Sequence, residues 1–118
     1  MTDTQTQAVG PKVSCIIPAY NEAERIGAVI AAVAGHPHVL EVIVVDDASS
    51  DQTARVAESF ASVRVIRLAQ NQGKTLALRR ALSEAKGALV LLLDADLRGL
   101  EARHITRLIE PVLRGDAD

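Results

Sequence analysis

Acidic, hydroxyl and lysine side chains gather in four short strings of this 118-residue sequence, and each string follows an apolar run. The strings are Tyr20-Asn21-Glu22, Asp46-Asp47-Ala48-Ser49, Asn71-Gln72-Gly73-Lys74 and Asp94-Ala95-Asp96. In the last of these, two carboxylates stand one residue apart and repel each other unless a cation lies against them. A hard divalent ion such as Mg²⁺ or Mn²⁺ takes oxygen ligands and keeps positions open for diphosphate oxygens. It would neutralise the charge that develops on a leaving diphosphate. Paired acids at this spacing also occur by chance in solvated, helix-capping turns. Their position directly after Leu91-Leu92-Leu93 favours the metal reading, because a strand there would fix both groups at a sheet edge. Asp46 and Asp47 pose the same choice, and for at least one of them contact with a base N–H or a ribose hydroxyl is the favoured role. Ser49, Asp51 and Gln52 are assigned to capping the helix that follows. Lys74, after Gly73 and at the expected start of a helix, adds a mobile charge to an anion-attracting helix N-terminus. The spacing around it lacks the glycine pattern of a P-loop, which sets an NTPase aside.

These strings need elements to hold them. Residues 12–17 read as a strand ended by Pro18, 40–45 as a second, 63–68 as a third and 88–93 as a fourth. Between them lie helical patterns. Residues 22–34 carry Ala23, Ile26, Ile30 and Val33 on one face, and a capped segment runs to about Phe60. Residues 73–86 turn Leu78, Ala81, Leu82 and Ala85 inward, and 101–113 form a last helix kinked or shortened at Pro111. Apolar strands alternating with amphipathic helices indicate an α/β fold, a doubly wound, mainly parallel sheet with helices on both faces. In such sheets ligands bind beyond the carboxyl ends of the strands, where the strand order reverses. With the order 3-2-1-4, that point falls between the first and fourth strands and brings Tyr20 and Glu22 beside Asp94 and Asp96.

Composition narrows the partners. One Tyr, one Phe and no Trp leave no stacking platform for single-stranded nucleic acid, and a net charge of −2 does not suit a phosphate-backbone binder. Nucleic acid is therefore not an expected partner. Cys15 is the only cysteine and lies in an apolar run, so it is read as a buried, inert thiol in a reducing, cytoplasmic compartment. Membrane association is left to any segment outside this sequence. His36 and His38 flank Pro37 at the far edge of the sheet and are assigned a structural or solvent-exposed role, and nothing gives His104 a catalytic one. Residues 1–11 are polar and read as a flexible tail ahead of a single unit over 12–118.

Taken in order, Ile16-Ile17-Pro18-Ala19-Tyr20-Asn21-Glu22, Val44-Val45-Asp46-Asp47-Ala48-Ser49-Ser50-Asp51-Gln52-Thr53, Asn71-Gln72-Gly73-Lys74 and Asp94-Ala95-Asp96-Leu97 resemble family-2 glycosyltransferases of the GT-A fold. The branch they resemble holds the dolichol-phosphate mannosyltransferases and glucosyl-3-phosphoglycerate synthases. Each motif alone is loose, but four in order on successive strand ends are specific. The resemblance implies a metal-assisted, inverting transfer of sugar from a UDP- or GDP-linked donor to an acceptor it does not name. It implies that Pro18, Ala19, Tyr20, Glu22, Val45, Asp47, Lys74, Asp94 and Ala95 line the donor nucleotide's pocket, Asp47 reading the base and Val45 contributing its backbone. Asp96 would be the principal metal ligand, with Asp94 on ribose or metal. The family's base comes from a later, acceptor-binding half that residues 12–118 do not include. Two positions depart from the pattern. Ala48 stands where glycine is frequent, a change expected to be harmless. Arg98 stands where polyprenol-phosphate transferases often carry a metal-binding Gln, which leaves a polyprenyl acceptor less well supported than a soluble one.

The competing reading is a non-catalytic nucleotide-binding or assembly module. A phospho-accepting receiver domain would place an acidic pair after the first strand, where Tyr20 and Asn21 stand instead. In the expected strand order the fourth strand is an apolar edge, and self-association through residues 88–93 is expected from its unpaired backbone groups.

Overall fold

The computed structural model describes residues 12–115, and the expected N-terminal tail lies outside them. The chain runs β1 (Val13–Ala19), α1 (Ile26–Val33), β2 (Val39–Asp46), α2 (Thr53–Glu58), β3 (Val63–Arg67), α3 (Lys74–Glu84), β4 (Leu89–Leu92) and α4 (Ala102–Leu113). The four strands form one sheet in the order β3-β2-β1-β4, and every pairing is parallel. The first two crossovers step toward β3, whereas the third steps back across β2 and β1 to β4. Since right-handed crossovers are close to obligatory, the reversed step puts its helix on the opposite face. One core accordingly joins α1, α2 and α4 to Cys15, Ile17, Val42 and Val44. The other sets Ala77 and Ala81 of α3 against Ile16, Ile43, Val45 and Ile66.

Several boundaries differ from the sequence reading, each for a local reason. β1 passes through Pro18 instead of stopping there. Ile16 O accepts from Leu93 N, so even-numbered residues of β1 address β4, and the β1–β4 register ends at Ile16 and Leu92. The N–H that Pro18 lacks would point where no strand remains to receive it. α1 begins only at Ile26, because residues 22–25 form a turn with Ile26 N on Glu22 O. α4 runs on through Pro111 to Leu113. The N–H that Pro111 lacks would bond to the carbonyl of Arg107 four residues back, so the helix continues there without one of its backbone bonds. Leu82, expected inward, is exposed, and the smaller Ala77 and Ala81 make the close approach of α3 to the sheet.

At the amino ends of the strands, the buried Ser14 hydroxyl donates to Glu41 Oε2 at 2.6 Å and accepts from Gly87 N at 2.7 Å, while Lys86 N also donates to Glu41 Oε2. Burial opposes the charge on Glu41, but these donors outweigh it and hold the carboxyl below its ordinary value. A Cβ at Gly87 would lie 2.6 Å from Ser14 N, so the backbones meet here without room for a side chain. Cys15 is buried, and burial pushes its thiol up to about 12, the inert thiol expected.

The histidines at the same end are structural. His36 Nδ1 accepts from His38 N at 3.2 Å, which leaves the proton on Nε2, 2.7 Å from the Thr106 hydroxyl. Burial and then the neighbouring His38 hold the His36 imidazole below its ordinary 6.5, against the pull of Glu110. A base depressed in the fold contributes its full stability above the unfolded value and loses it as pH falls below. The urea midpoint should therefore drop between pH 7.5 and pH 5, and His36→Gln should show a shallower drop. An unchanged pH slope in the variant would show that His36 carries none of it.

Candidate functional site

The site forms where the strand order reverses, between the ends of β1 and β4. A cleft of about 300 Å³ opens there, lined by Pro18, Ala19, Tyr20, Glu22, Asp47, Lys74, Ala77, Asp94, Ala95 and Asp96. Nine of these ten were singled out from the sequence. The tenth, Ala77, sits one turn into α3, where a small residue lets the helix approach the sheet and leaves space above it. Val45, expected to contribute its backbone, is not among the lining residues: it lies on the same face as Asp47 but two residues deeper, fully buried beneath α3.

Each wall has a local cause. After β4 the chain turns, with Leu97 N on Asp94 O; Leu93 and Ala95 are buried, Asp94 and Asp96 are exposed, and residues 94–96 all line the cleft. Leu93 N on Ile16 O, at 3.0 Å, holds this segment against β1. Asp47 is only 5% exposed, and both its oxygens accept backbone amides, Gln72 N at 2.7 Å and Gly73 N at 2.9 Å. Those amides belong to the unsatisfied start of α3, where a carboxylate is favoured by charge and by geometry. Of roughly four lone-pair positions on the carboxylate, these bonds take two. Gly73, at φ +90°, then swings the chain into α3 and aims Lys74 at the cleft. Lys74 Nζ lies 2.5 Å from Asp94 Oδ1. Tyr20 is half exposed at the rim, and Glu22 accepts from Arg25 at 3.3 Å.

The helix-capping role expected of Ser49, Asp51 and Gln52 is largely replaced by another. α2 starts at Thr53 with Gln52 as its N-cap and no side-chain cap bond. Asp51 Oδ1 does accept from Thr53 N at 2.9 Å, but its Oδ2 crosses to Ala23 N. Ser49 Oγ likewise accepts from Asn21 N, and Thr53 Oγ1 accepts from Glu22 N. Asn21 returns the link, its Oδ1 accepting from Ser50 N and Asp51 N. The loops after β1 and β2 are thus laced together, which holds the Tyr20 and Glu22 rim in place. The Thr53 hydroxyl, ahead of the amides of Thr53 and Ala23, keeps the Asp51 carboxyl below its usual range. The signal for this was present in Asn21 and the run of hydroxyl and acidic residues over 49–53, but sequence alone does not say which loop they bond. His104 Nδ1 accepts from Glu101 N at 2.9 Å, a role at the start of α4 and not in the cleft.

For a divalent cation the protein offers few ligands. Among the described residues there is no cluster of three or more His, Cys, Asp or Glu able to hold a metal. Two oxygen donors on one wall, with the remaining positions left to water and phosphate, still fit Mg²⁺ or Mn²⁺. Asp94 already hosts a positive charge, the ammonium of Lys74.

A parallel sheet with an acidic, lysine-bearing cleft at its switch point is a doubly wound α/β protein with its candidate site where such sheets bind ligands. The model of glycosyl transferase family 2 matches residues 14–118, and the chain belongs to that family. It is 37% identical over 109 residues to the dolichol-phosphate mannosyltransferase of Pyrococcus furiosus, covering 88% of this chain and 31% of that protein. To the dodecaprenyl-phosphate galacturonate synthase of Rhizobium johnstonii it is 28% identical over 116 residues, 91% of this chain and 34% of that one. Its fold matches glucosyl-3-phosphoglycerate synthase from Mycobacterium tuberculosis, solved with Mn²⁺, UDP-glucose and phosphoglyceric acid. That match has a TM-score of 0.80 at 30% identity and covers 91% of this chain and 41% of the synthase. The chain spans about a third of the length of these two transferases.

Ala48 at φ +62° and Asn21 at φ +53° hold left-handed backbone in the laced loops. Asparagine tolerates that region and alanine does not, so Ala48, expected to be harmless, carries strain. Ala48→Gly should raise unfolding free energy by about 0.5–1 kcal/mol. Asn21→Ala, which gives two exposed amides to water and loses the tolerant residue, should lower it by about 1 kcal/mol. Urea denaturation of both variants checks the pair; a stabilised Asn21→Ala would contradict the lacing.

Proposed function

We propose that the cleft binds the diphosphate and nucleoside of a nucleotide sugar together with a divalent cation, and that the chain is the donor-binding half of an inverting glycosyltransferase. The observation that carries this reading is the charge of the cleft. Four carboxylates, Glu22, Asp47, Asp94 and Asp96, face it beside one lysine. A diphosphate would be repelled from such a surface by itself, and a divalent ion shared with Asp94 and Asp96 removes the repulsion. When bound, that ion supplies electrostatic stabilisation of the leaving diphosphate. Asp96 is the principal ligand in this reading and Asp94 the second. Lys74 meets the phosphates, Tyr20 and Pro18 border the base, and Asp47 offers its remaining lone pairs to base or ribose. The transfer of a hexose needs an acceptor and a base from beyond these residues. The Mn²⁺ and UDP-glucose bound by the mycobacterial synthase, whose fold this chain shares, support the donor class.

Calorimetric titration of UDP and GDP, each with and without Mn²⁺, tests the proposal. One nucleotide should bind only with metal, and Asp96→Ala should weaken that binding at least tenfold, about 1.4 kcal/mol. Metal-independent binding, or an Asp96→Ala variant that binds as the parent does, would overturn the metal assignment. Binding of neither nucleotide would overturn the donor site.

The edge of the sheet supports a second element of the proposal, self-association. β4 pairs with β1 on one side only, and Val90 and Leu92 on it are exposed, as are Leu108 and Val112 on α4. An apolar, unpaired edge favours pairing with a second copy. Light scattering should give a mass above that of the 12.5 kDa chain as concentration rises through the micromolar range, and Leu92→Lys should return the monomer. A monomeric mass throughout would refute it.

A further inference from the structure

We propose that Lys74 is a latch on the metal site: without donor its ammonium occupies the cation's place on Asp94, and a divalent ion must displace it to bind. The inference rests on reading the cleft as a metal-assisted donor site, and it adds an order of events and a second role for one residue. Lys74 and Asp94 come from opposite sides of the cleft, the first residue of α3 and the segment after β4. Their side chains nonetheless meet at 2.5 Å, although both are more than half exposed and free to extend into water. Asp96, two residues on, makes no hydrogen bond or ion pair with the described residues. Of the two proposed metal ligands, then, one is held by an internal cation and the other is open.

The arrangement has an electrostatic consequence. An ammonium in contact with one Asp94 oxygen both blocks that oxygen and repels an approaching divalent ion. The pair is solvated, so it weakens metal binding only modestly; exposed pairs of this kind correspond to about two- to fivefold in an equilibrium constant. A nucleoside diphosphate changes the balance, since its phosphate oxygens give Lys74 a better anion and the metal additional ligands. Lys74 therefore opposes metal alone and supports metal with diphosphate. The site resists loading with free cation and accepts cation and donor as a pair.

Lys74→Met keeps the stem and removes the charge, and because the side chain is exposed the fold should persist, as circular dichroism can verify. Mn²⁺ binding to nucleotide-free protein, followed by the electron paramagnetic resonance of the free ion, should tighten about two- to fivefold in Lys74→Met and stay near the parent value in Lys74→Arg. Binding of the preferred diphosphate in saturating Mn²⁺ should move the other way and weaken in Lys74→Met. This opposition of sign is the signature of the latch. Unchanged or weaker Mn²⁺ binding in Lys74→Met, with nucleotide and metal still bound by the parent, would overturn the latch and leave the donor site standing. A parent that binds neither Mn²⁺ nor nucleotide would overturn both.

Discussion

The carboxylate of Asp47 is the hinge on which the candidate site is built. It is buried at the end of β2, and a buried charge persists only when hydrogen bonds replace its water. The amides of Gln72 and Gly73 do this. In return, the amide of the N-cap Gly73 and that of Gln72 just before it are satisfied, and charge-assisted bonds of this type are about twice as strong as neutral ones. The position of Lys74 follows from that anchorage. So does the approach of Ala77 to the sheet, and with it the depth of the cleft. Without the clamp, the lysine would ride on a loose loop and could not be held opposite Asp94.

The rest of the frame keeps the two cleft walls at a fixed distance. β1 lies between β2 and β4, and its residues from Val13 to Ile17 are buried, so a one-residue slip would exchange the side chains packed into the two cores and break both. At one end Ser14, Glu41 and Gly87 tie β4 to β1 and β2 with bonds that leave no room for a Cβ. At the other, Asn21, Ser49, Asp51 and Thr53 lace two loops together. The sheet is thus pinned by polar networks at both ends and by aliphatic packing between, an arrangement suited to a chain almost without aromatic residues.

The parallel sheet and the two-sided core were legible in the sequence because they follow from patterns repeated over many residues: apolar runs, helical periods and the handedness of crossovers; the strand order 3-2-1-4, taken there as a condition, is the order the sheet has. Most of the cleft was legible for a related reason, since strand ends converge at a switch point whatever their sequence. What escaped depended on single-residue geometry. Val45 and Asp47 are two residues apart, yet one is packed under α3 and the other reaches the cleft. Ser49 and Asp51 look like a capping box because the motif is defined by spacing within one loop, whereas their partners lie some thirty residues earlier, in Asn21 and Ala23. Pro18 and Pro111 looked like stops because proline usually is one. Pro18 is tolerated where no strand remains to receive the missing N–H, whereas α4 continues through Pro111 without one i→i−4 bond.

The acids of this chain can be sorted by where their lone pairs go. Asp46, Asp47, Asp51 and Glu41 all accept backbone amides, from Ser49, from Gln72 and Gly73, from Thr53 and Ala23, and from Lys86. Replacing any of them would strand an amide, so each is bound to the fold whatever else it does. The side chains of Asp94 and Asp96 accept no amide; one holds only a lysine, and the other nothing among the described residues. Carboxylates that the backbone does not need, exposed on the wall of a cleft, add little to the fold beyond one solvent-screened pair with Lys74. They are free to serve a ligand, and a cation is the ligand that suits two acids at once. Hydrogen-bond accounting thus separates the acids that hold the site from the acids the site holds ready, a distinction that composition and spacing could not make.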